Sequence, residues 1–345
     1  MKTELRILVC AVLVLIDGTM VIGQTRQIHF HCASKAEGQL LMDGRTEYYR
    51  DLNQNDLDWR MRKSNATLEE FKQYAREQVL DFTQEEKDYM RRVVDLIEER
   101  LQKIGCRLPF PAKDIVIVKT TMDEESGAGG YTNGTVIYLG RGEFEYFMRN
   151  TTDKEVKQML LLRMTELVIH EMFHCLTRNN ADFRRRMYSL IGFTILDHDI
   201  NFPTEVKNWI LTNPDVEHLD NYIEVTIDGE QRPCELIVKY TKTWAEAAAQ
   251  NERASFFNHN ECVLVPLDDP YKAYPVKDME DFWDKVGHNT SYVFAPEECL
   301  ADNFSYAVLS YGEKNYHFRT PELIENIINL LKRQYGHTEN TDSKE

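Results

Sequence analysis

The stretch that most constrains this chain is His170-Glu171-Met172-Phe173-His174. It sits late in a run from Asp153 to about Thr177 that reads as one long helix. Residues four apart on a helix share a face. His170 and His174 can therefore offer two imidazoles to one cation, with Glu171 beside the pair. A hydrolytic zinc site needs this layout: two neutral nitrogens to hold the metal, and a carboxylate placed to take a proton from the attacking water. An amphipathic helix carrying two ordinary histidines is the plainer alternative, so a second motif has to decide.

That motif is Pro296-Glu297-Glu298-Cys299-Leu300-Ala301-Asp302. Ala295-Pro296 marks a helix start, with Pro at the first position and two acids in the first turn. The helix is expected to run to Tyr311-Gly312, where Gly can end it. A catalytic zinc takes a third protein ligand and keeps a fourth position open. Its histidines also want a carboxylate on the other ring nitrogen. Glu298 and Asp302 are four apart and share a face, so one could bind zinc while the other, one turn on, orients a histidine. Position 301 is Ala, which leaves Glu297 without such a partner and makes it a first-turn acid favoured by the helix dipole.

H-E-x-x-H followed by E-x-x-x-D resembles the gluzincin branch of the zincin metallopeptidases, to which thermolysin belongs. The resemblance implies that His170, His174 and Glu298 hold one Zn2+, that Glu171 is the general base, and that Asp302 supports a ligand histidine. It also implies a two-lobed α+β, zincin-like fold. The chain departs from thermolysin-like enzymes in one respect. Its gap from His174 to Glu298 is 124 positions, where theirs is short, which points to a large insertion or a separate family. Such an enzyme needs a donor for the developing oxyanion; Tyr292, His288 and Tyr306 are the candidates.

The N-terminus reads as a targeting signal. Lys2 and Arg6 flank an apolar run, Ile7 to Ile16, too short for a membrane span. Residues 1–23 are thus expected to be a signal peptide rather than an anchor, with Gln24 as the mature start and a secreted product. Six cysteines follow, and an even count in a secretory chain suggests disulfides. Cys175 follows a zinc histidine and Cys299 follows the zinc glutamate, so these two are a candidate pair, with a buried free Cys175 as the alternative. Cys234–Cys262 and Cys32–Cys106 complete the expectation. Sequons at Asn65, Asn133, Asn150 and Asn289 predict glycosylation. A fifth, at Asn303, falls inside the Glu298 helix and is expected to be buried and unmodified.

A formal charge of −16 argues against nucleic acid or an anionic membrane as partner. No later stretch could cross a bilayer. The charge does not reveal the substrate; the resemblance implies a peptide or protein. Residues 24–66 are mixed and polar, an N-terminal segment that could be a pro-segment, with a strand at Gln27–Cys32. The catalytic domain is expected over 67–336, with an upper lobe to about 177 and a lower lobe from 178, followed by a disordered tail, 337–345. Capping patterns predict helices over Thr67–Asp81 and Thr83–Ile104. Strands are predicted at Asp114–Val118 and Thr135–Leu139. By the resemblance, Tyr131 to Leu139 is an edge strand that pairs with an extended substrate, unless a loop covers it. A helix over Phe183–Ile195, strands at Ile223–Ile227, Glu235–Tyr240 and Cys262–Pro266, and a helix from Thr320-Pro321 to Gly336 complete the outline. A zincin-like secreted protein that binds without turnover is the rival function.

Overall fold

A computed structural model describes residues 27–110, 114–250, 255–314 and 316–336. The expected signal peptide and C-terminal tail lie outside them. Among the described residues no helix is long and apolar enough to cross a membrane.

The fold is mixed α+β, built on two five-stranded sheets. The chain opens with β1 (Phe30–Cys32), α1 (Lys35–Asp43), α2 (Thr46–Asp51), α3 (Gln54–Met61), α4 (Leu68–Glu77), β2 (Val79–Leu80) and α5 (Gln84–Ile104). It continues through β3 (Ile115–Thr120), β4 (Gly130–Asn133), β5 (Val136–Gly140), α6 (Arg141–Phe147), α7 (Lys154–Asn179) and α8 (Ala181–Ser189). The second half holds β6 (Phe193–Ile195), α9 (Thr204–Lys207), β7 (Asn221–Ile227), β8 (Glu230–Tyr240), α10 (Trp244–Ala249), β9 (Asn260–Pro266), β10 (Tyr274–Pro275), α11 (Glu280–Val286), α12 (Pro296–Ser310) and α13 (Pro321–Tyr335).

The first sheet runs β1-β3-β5-β4, with β2 beside the far end of β3. Strands β1, β3 and β5 are parallel and β4 is an antiparallel edge. The second sheet is an antiparallel β10-β9-β8-β7-β6 meander. Its β7–β8 hairpin turns on Asp228-Gly229, both at positive φ, as a two-residue turn matched to strand twist requires.

Helix α7 holds its length because nothing between 154 and 179 breaks it. The run has no Gly or Pro, and the Asp153 carboxylate accepts from the Glu155 and Val156 amides at its start. Almost every residue from Val168 to Thr177 is buried. Helix α12 lies along α7, and α5 and α13 close the same core. The Phe173 ring meets Phe183 and Phe304 at 5.8 and 5.3 Å between centroids. The four helices therefore form one apolar body under the first sheet, and α12 brings the second sequence motif against the first.

Three elements depart from expectation. Residues 35–61 form three helices. Helix α4 stops at Glu77, because Val79 and Leu80 leave it to pair with Thr120 and Lys119 of β3. The run from Phe183 divides into α8 and β6, since Phe193–Ile195 pairs with β7; Gly192, at φ +79°, makes the break.

The disulfide expectations are corrected: Cys32, Cys106, Cys175, Cys234, Cys262 and Cys299 are all free thiols. On the β8–β9 ladder Cys262 lies opposite Val238, while Cys234 lies opposite Pro266. That offset puts the pair several residues apart along the strands, beyond bridging reach. Cys32 sits near Lys87 and Arg91, whereas Cys106 follows the C-terminal end of α5, about 20 Å further along that helix. Cys299 turns towards the Val286 carbonyl and Asn303, away from the face of α12 that meets α7. Cys175 is the buried thiol of the alternative reading.

Helix α3 ties the N-terminal segment to both sheets. Buried Arg60 donates to Glu125 Oε2 (2.8 Å), Asp56 Oδ1 (3.1 Å) and the Thr212 carbonyl (2.7 Å). Asp56 also accepts from Tyr240 of β8 at 2.7 Å. Removing one partner of a buried charge network strands the others. Arg60→Met is expected to cost about 3–5 kcal/mol of unfolding free energy. Urea denaturation checks this; a loss below about 1 kcal/mol, the scale of a surface pair, would contradict it.

Candidate metal centre

The H-E-x-x-H turn of α7 faces the first turn and a half of α12. His170 Nε2 lies 3.0 Å from Glu298 Oε2, and His174 Nε2 lies 3.7 Å from the same oxygen. One ligand atom from each of His170, His174 and Glu298 falls within 4.8 Å of the others. On its other nitrogen, His170 Nδ1 meets Asp302 Oδ1 at 2.9 Å. Asp302 Oδ2 in turn accepts from the Thr290 hydroxyl at 2.5 Å. The i, i+4 pair on α12 thus spans one imidazole, with Glu298 on its inner nitrogen and Asp302 on its outer one.

Glu297 requires a correction. It is not merely a first-turn acid, because its buried carboxylate supports the second histidine. Glu297 Oε1 lies 3.2 Å from His174 Nδ1 and also accepts from the Thr177 hydroxyl, while Oε2 accepts from Tyr188 at 2.6 Å. The 100° step between adjacent helical residues is what allows this. Glu298 reaches the inner nitrogens from one side, and Glu297 reaches round to the back of His174. Burial works against the Glu297 charge, yet the His174 hydrogen bond and charge hold its carboxyl below the ordinary range. Glu298 behaves alike: burial opposes ionisation, but His170 and His174 hold its carboxyl below the ordinary range. For His170 burial opposes the cation, and the bonds to Asp302 and Glu298 raise its pKa well above the usual imidazole value.

One atom tests whether a metal fits. With Nδ1 directed to Glu297, His174 presents Nε2 to the centre of the cluster. That nitrogen is fully buried and, among the described residues, has no hydrogen-bond partner. Buried polar atoms are rarely left so. A borderline cation such as zinc, bound by nitrogen and carboxylate oxygen, would satisfy it.

Glu171 is not in the ligand set of His170, His174 and Glu298. The Thr132 hydroxyl donates to its Oε2 at 2.7 Å and so fixes the carboxylate over β4. Burial first, then the charge of Asp215, push Glu171 up to about 7. Gly130 is needed for this approach, since a Cβ there would stand 2.8 Å from Glu171 Oε1.

The sequence did not single out the segment Asn213–Glu217, which reads only as a turn. Asn213 Nδ2 donates to Glu298 Oε1 at 2.5 Å. Asp215 Oδ1 accepts from the Thr132 amide at 2.6 Å and lies 3.9 Å from His174 Nε2. Glu217 accepts from the Gly134 amide at 3.3 Å and pairs with Arg178 at 3.0 Å. The expected edge, Tyr131 to Leu139, is corrected: the run folds into the β4–β5 hairpin, only β4 lies at the edge, and Asp215 takes the Thr132 amide of β4 while Glu217 takes the Gly134 amide in the turn that follows. Asp215 joins Glu171 and His174 in a second cluster that could hold a cation.

Of the oxyanion candidates, only Tyr292 reaches the centre. Its ring lies 6.1 Å from that of His170, and burial, then Glu298, keep its hydroxyl protonated well above the usual range. His288 is exposed and stacks on Trp283. Tyr306 stacks on Phe318 and has Asp302 and Glu166 as its acidic neighbours. Among the sequons, Asn65 and Asn150 are exposed and Asn133 is half-buried, while Asn303 is buried. The Asn289 Nδ2 donates to Asn303 and to the Thr320 carbonyl.

Comparison with protein-family models, with curated proteins and with solved structures finds no match.

Proposed function

We propose that this chain is a secreted, zinc-dependent hydrolase of zincin type that cleaves peptide bonds, with the third ligand delivered across a long insertion. The observation that carries the reading is the bare, buried Nε2 of His174, set beside Glu298 and His170 with a carboxylate behind each imidazole. His170, His174 and Glu298 would hold the ion. When bound, zinc supplies Lewis acidity towards a water and a scissile carbonyl. Glu171, held by Thr132, takes a proton from the attacking water and returns it to the leaving amine. Tyr292 supplies a hydrogen-bond donor beside His170 for the charge that develops on the carbonyl oxygen. Asp302 and Glu297 keep both imidazoles turned inward. Metal analysis of the purified chain, with cleavage profiling on a denatured proteome with and without chelator, tests the proposal. Absence of zinc together with absence of chelator-sensitive cleavage would end it.

The rival, a protein that binds without turnover, draws on the covered β4 edge. An extended substrate pairing there has to displace Asp215 and Glu217 from the Thr132 and Gly134 amides. Under the hydrolase reading, Glu217→Ala removes one of those contacts and raises kcat/KM several-fold, as expected for the loss of about one hydrogen bond. Steady-state kinetics on a cleaved peptide checks it. An unchanged or lower kcat/KM would show that the segment does not compete with substrate.

A further inference from the structure

A cavity lies away from the metal centre, between α5 and α7. It measures 680 Å³ and is closed at one end by the chain around 147–150. Its walls are two facing helical stripes. On α5 the stripe is Glu85, Tyr89, Arg92, Leu96 and Arg100, spaced three and four apart. On α7 it includes Lys154, Lys157 and Leu161. Phe147, Met148 and Leu160 add to the apolar floor.

Charge singles this groove out, and two of its wall residues carry unpartnered donors. The whole chain carries a formal charge of −16, yet Arg92, Arg100, Arg149, Lys154 and Lys157 line the groove against the single acid Glu85. Among the described residues, two buried donors in its wall have no hydrogen-bond partner: the Tyr89 hydroxyl and Arg100 Nε. Tyr89 is only 5 % exposed, and the Arg92 guanidinium stands 5.1 Å from its ring centroid. Arg100 engages Glu313 through Nη1, which leaves Nε unused. Native folds seldom leave such groups empty. Both orphans are donors, so what they lack is an acceptor, and the cations around them favour an acceptor with negative charge.

We propose that this groove binds a small amphiphilic anion, an alkyl chain ending in a carboxylate. The head group accepts from the unpartnered donors and the rim cations, and the chain covers Leu96, Phe147 and Leu160. An inorganic anion would leave the apolar floor wet. The volume is that of a small-molecule site, and a helical partner would need a far larger buried surface.

Decanoate, titrated calorimetrically below its micelle concentration into the full chain made without glycosylation (Asn150 stands at the rim), tests this. Saturable one-to-one binding is expected, with decanol at least about ten-fold weaker because it lacks the charge. The double variant Lys154→Glu, Lys157→Glu is expected to weaken decanoate by about ten-fold or more. Tyr89→Phe separates a ligand role from a structural one. It deletes a donor that the free protein does not use, so the ligand-free melting temperature holds or rises, while decanoate affinity falls about ten-fold. Three results would each overturn the proposal: no saturable binding, equal affinity for decanol, or decanoate affinity unchanged in both variants, which would place it elsewhere. Binding of a polyglutamate peptide in place of decanoate would replace the amphiphile with an acidic polypeptide. None of these outcomes depends on the zinc reading.

Discussion

Glu171→Gln is expected to keep zinc uptake within a few-fold of the parent and to lower turnover by about two to four orders of magnitude, the range of a lost general base. The substitution is nearly isosteric, and Glu171 lies outside the set formed by His170, His174 and Glu298. The Thr132 hydroxyl can still donate to the amide oxygen where it now donates to Glu171 Oε2. What disappears is the capacity to hold a proton. Burial and the charge of Asp215 raise the Glu171 carboxyl above its ordinary range. Gly130→Ala is an independent probe of the same group: its new Cβ would press on Oε1, so turnover should fall while zinc stays bound. Metal stoichiometry and single-turnover rates measured on the same preparations decide the matter. Near-normal turnover in Glu171→Gln would remove Glu171 from the mechanism.

The parts of this site that sequence could reveal are those set by helical spacing. His170 with His174, and Glu298 with Asp302, are each four apart on a helix, so their shared faces follow from helical periodicity alone. Helix α5 was legible for a similar local reason, since Thr83 and Glu86 form the reciprocal cap that their spacing implies. What spacing could not reveal is which groups a distant segment delivers. Asp215 and Asn213 lie in a polar turn of the insertion, and only the course of the chain between α9 and β7 brings them to Thr132 and Glu298. The role of Glu297 was hidden because its partners, His174, Thr177 and Tyr188, sit on two other helices. The disulfide expectation failed on register: Cys234 and Cys262 lie on paired strands, but not opposite each other. The helices of residues 35–61 were obscured by their polarity. Part of their burial is charged rather than apolar, with Arg60 and Asp56 inside the protein.

The last expectation ranks three acids of α12 by what each one touches. Glu298→Ala should abolish zinc binding, since Glu298 Oε2 is the only α12 oxygen facing both inner nitrogens, at 3.0 Å from His170 and 3.7 Å from His174. Asp302→Ala should weaken zinc by roughly ten- to a hundred-fold, the usual scale for losing the carboxylate behind a ligand histidine. Glu297→Ala belongs beside Asp302, not below it, because it frees His174 to rotate or change tautomer. It should differ from Asp302→Ala in a second readout. Glu297 is buried and satisfies Tyr188 and Thr177 as well as His174, whereas Asp302 is partly open to solvent. Glu297→Ala should therefore also destabilise the zinc-free fold, by about 1–3 kcal/mol for each buried donor left empty, and Glu297→Gln should restore much of that stability by returning an acceptor. Competition against a chromophoric chelator gives the affinities, and thermal unfolding of the apo variants gives the stabilities. A Glu298→Ala variant that binds zinc as tightly as the parent would refute the ligand set. A Glu297→Ala variant with parental affinity would return Glu297 to the helix dipole alone.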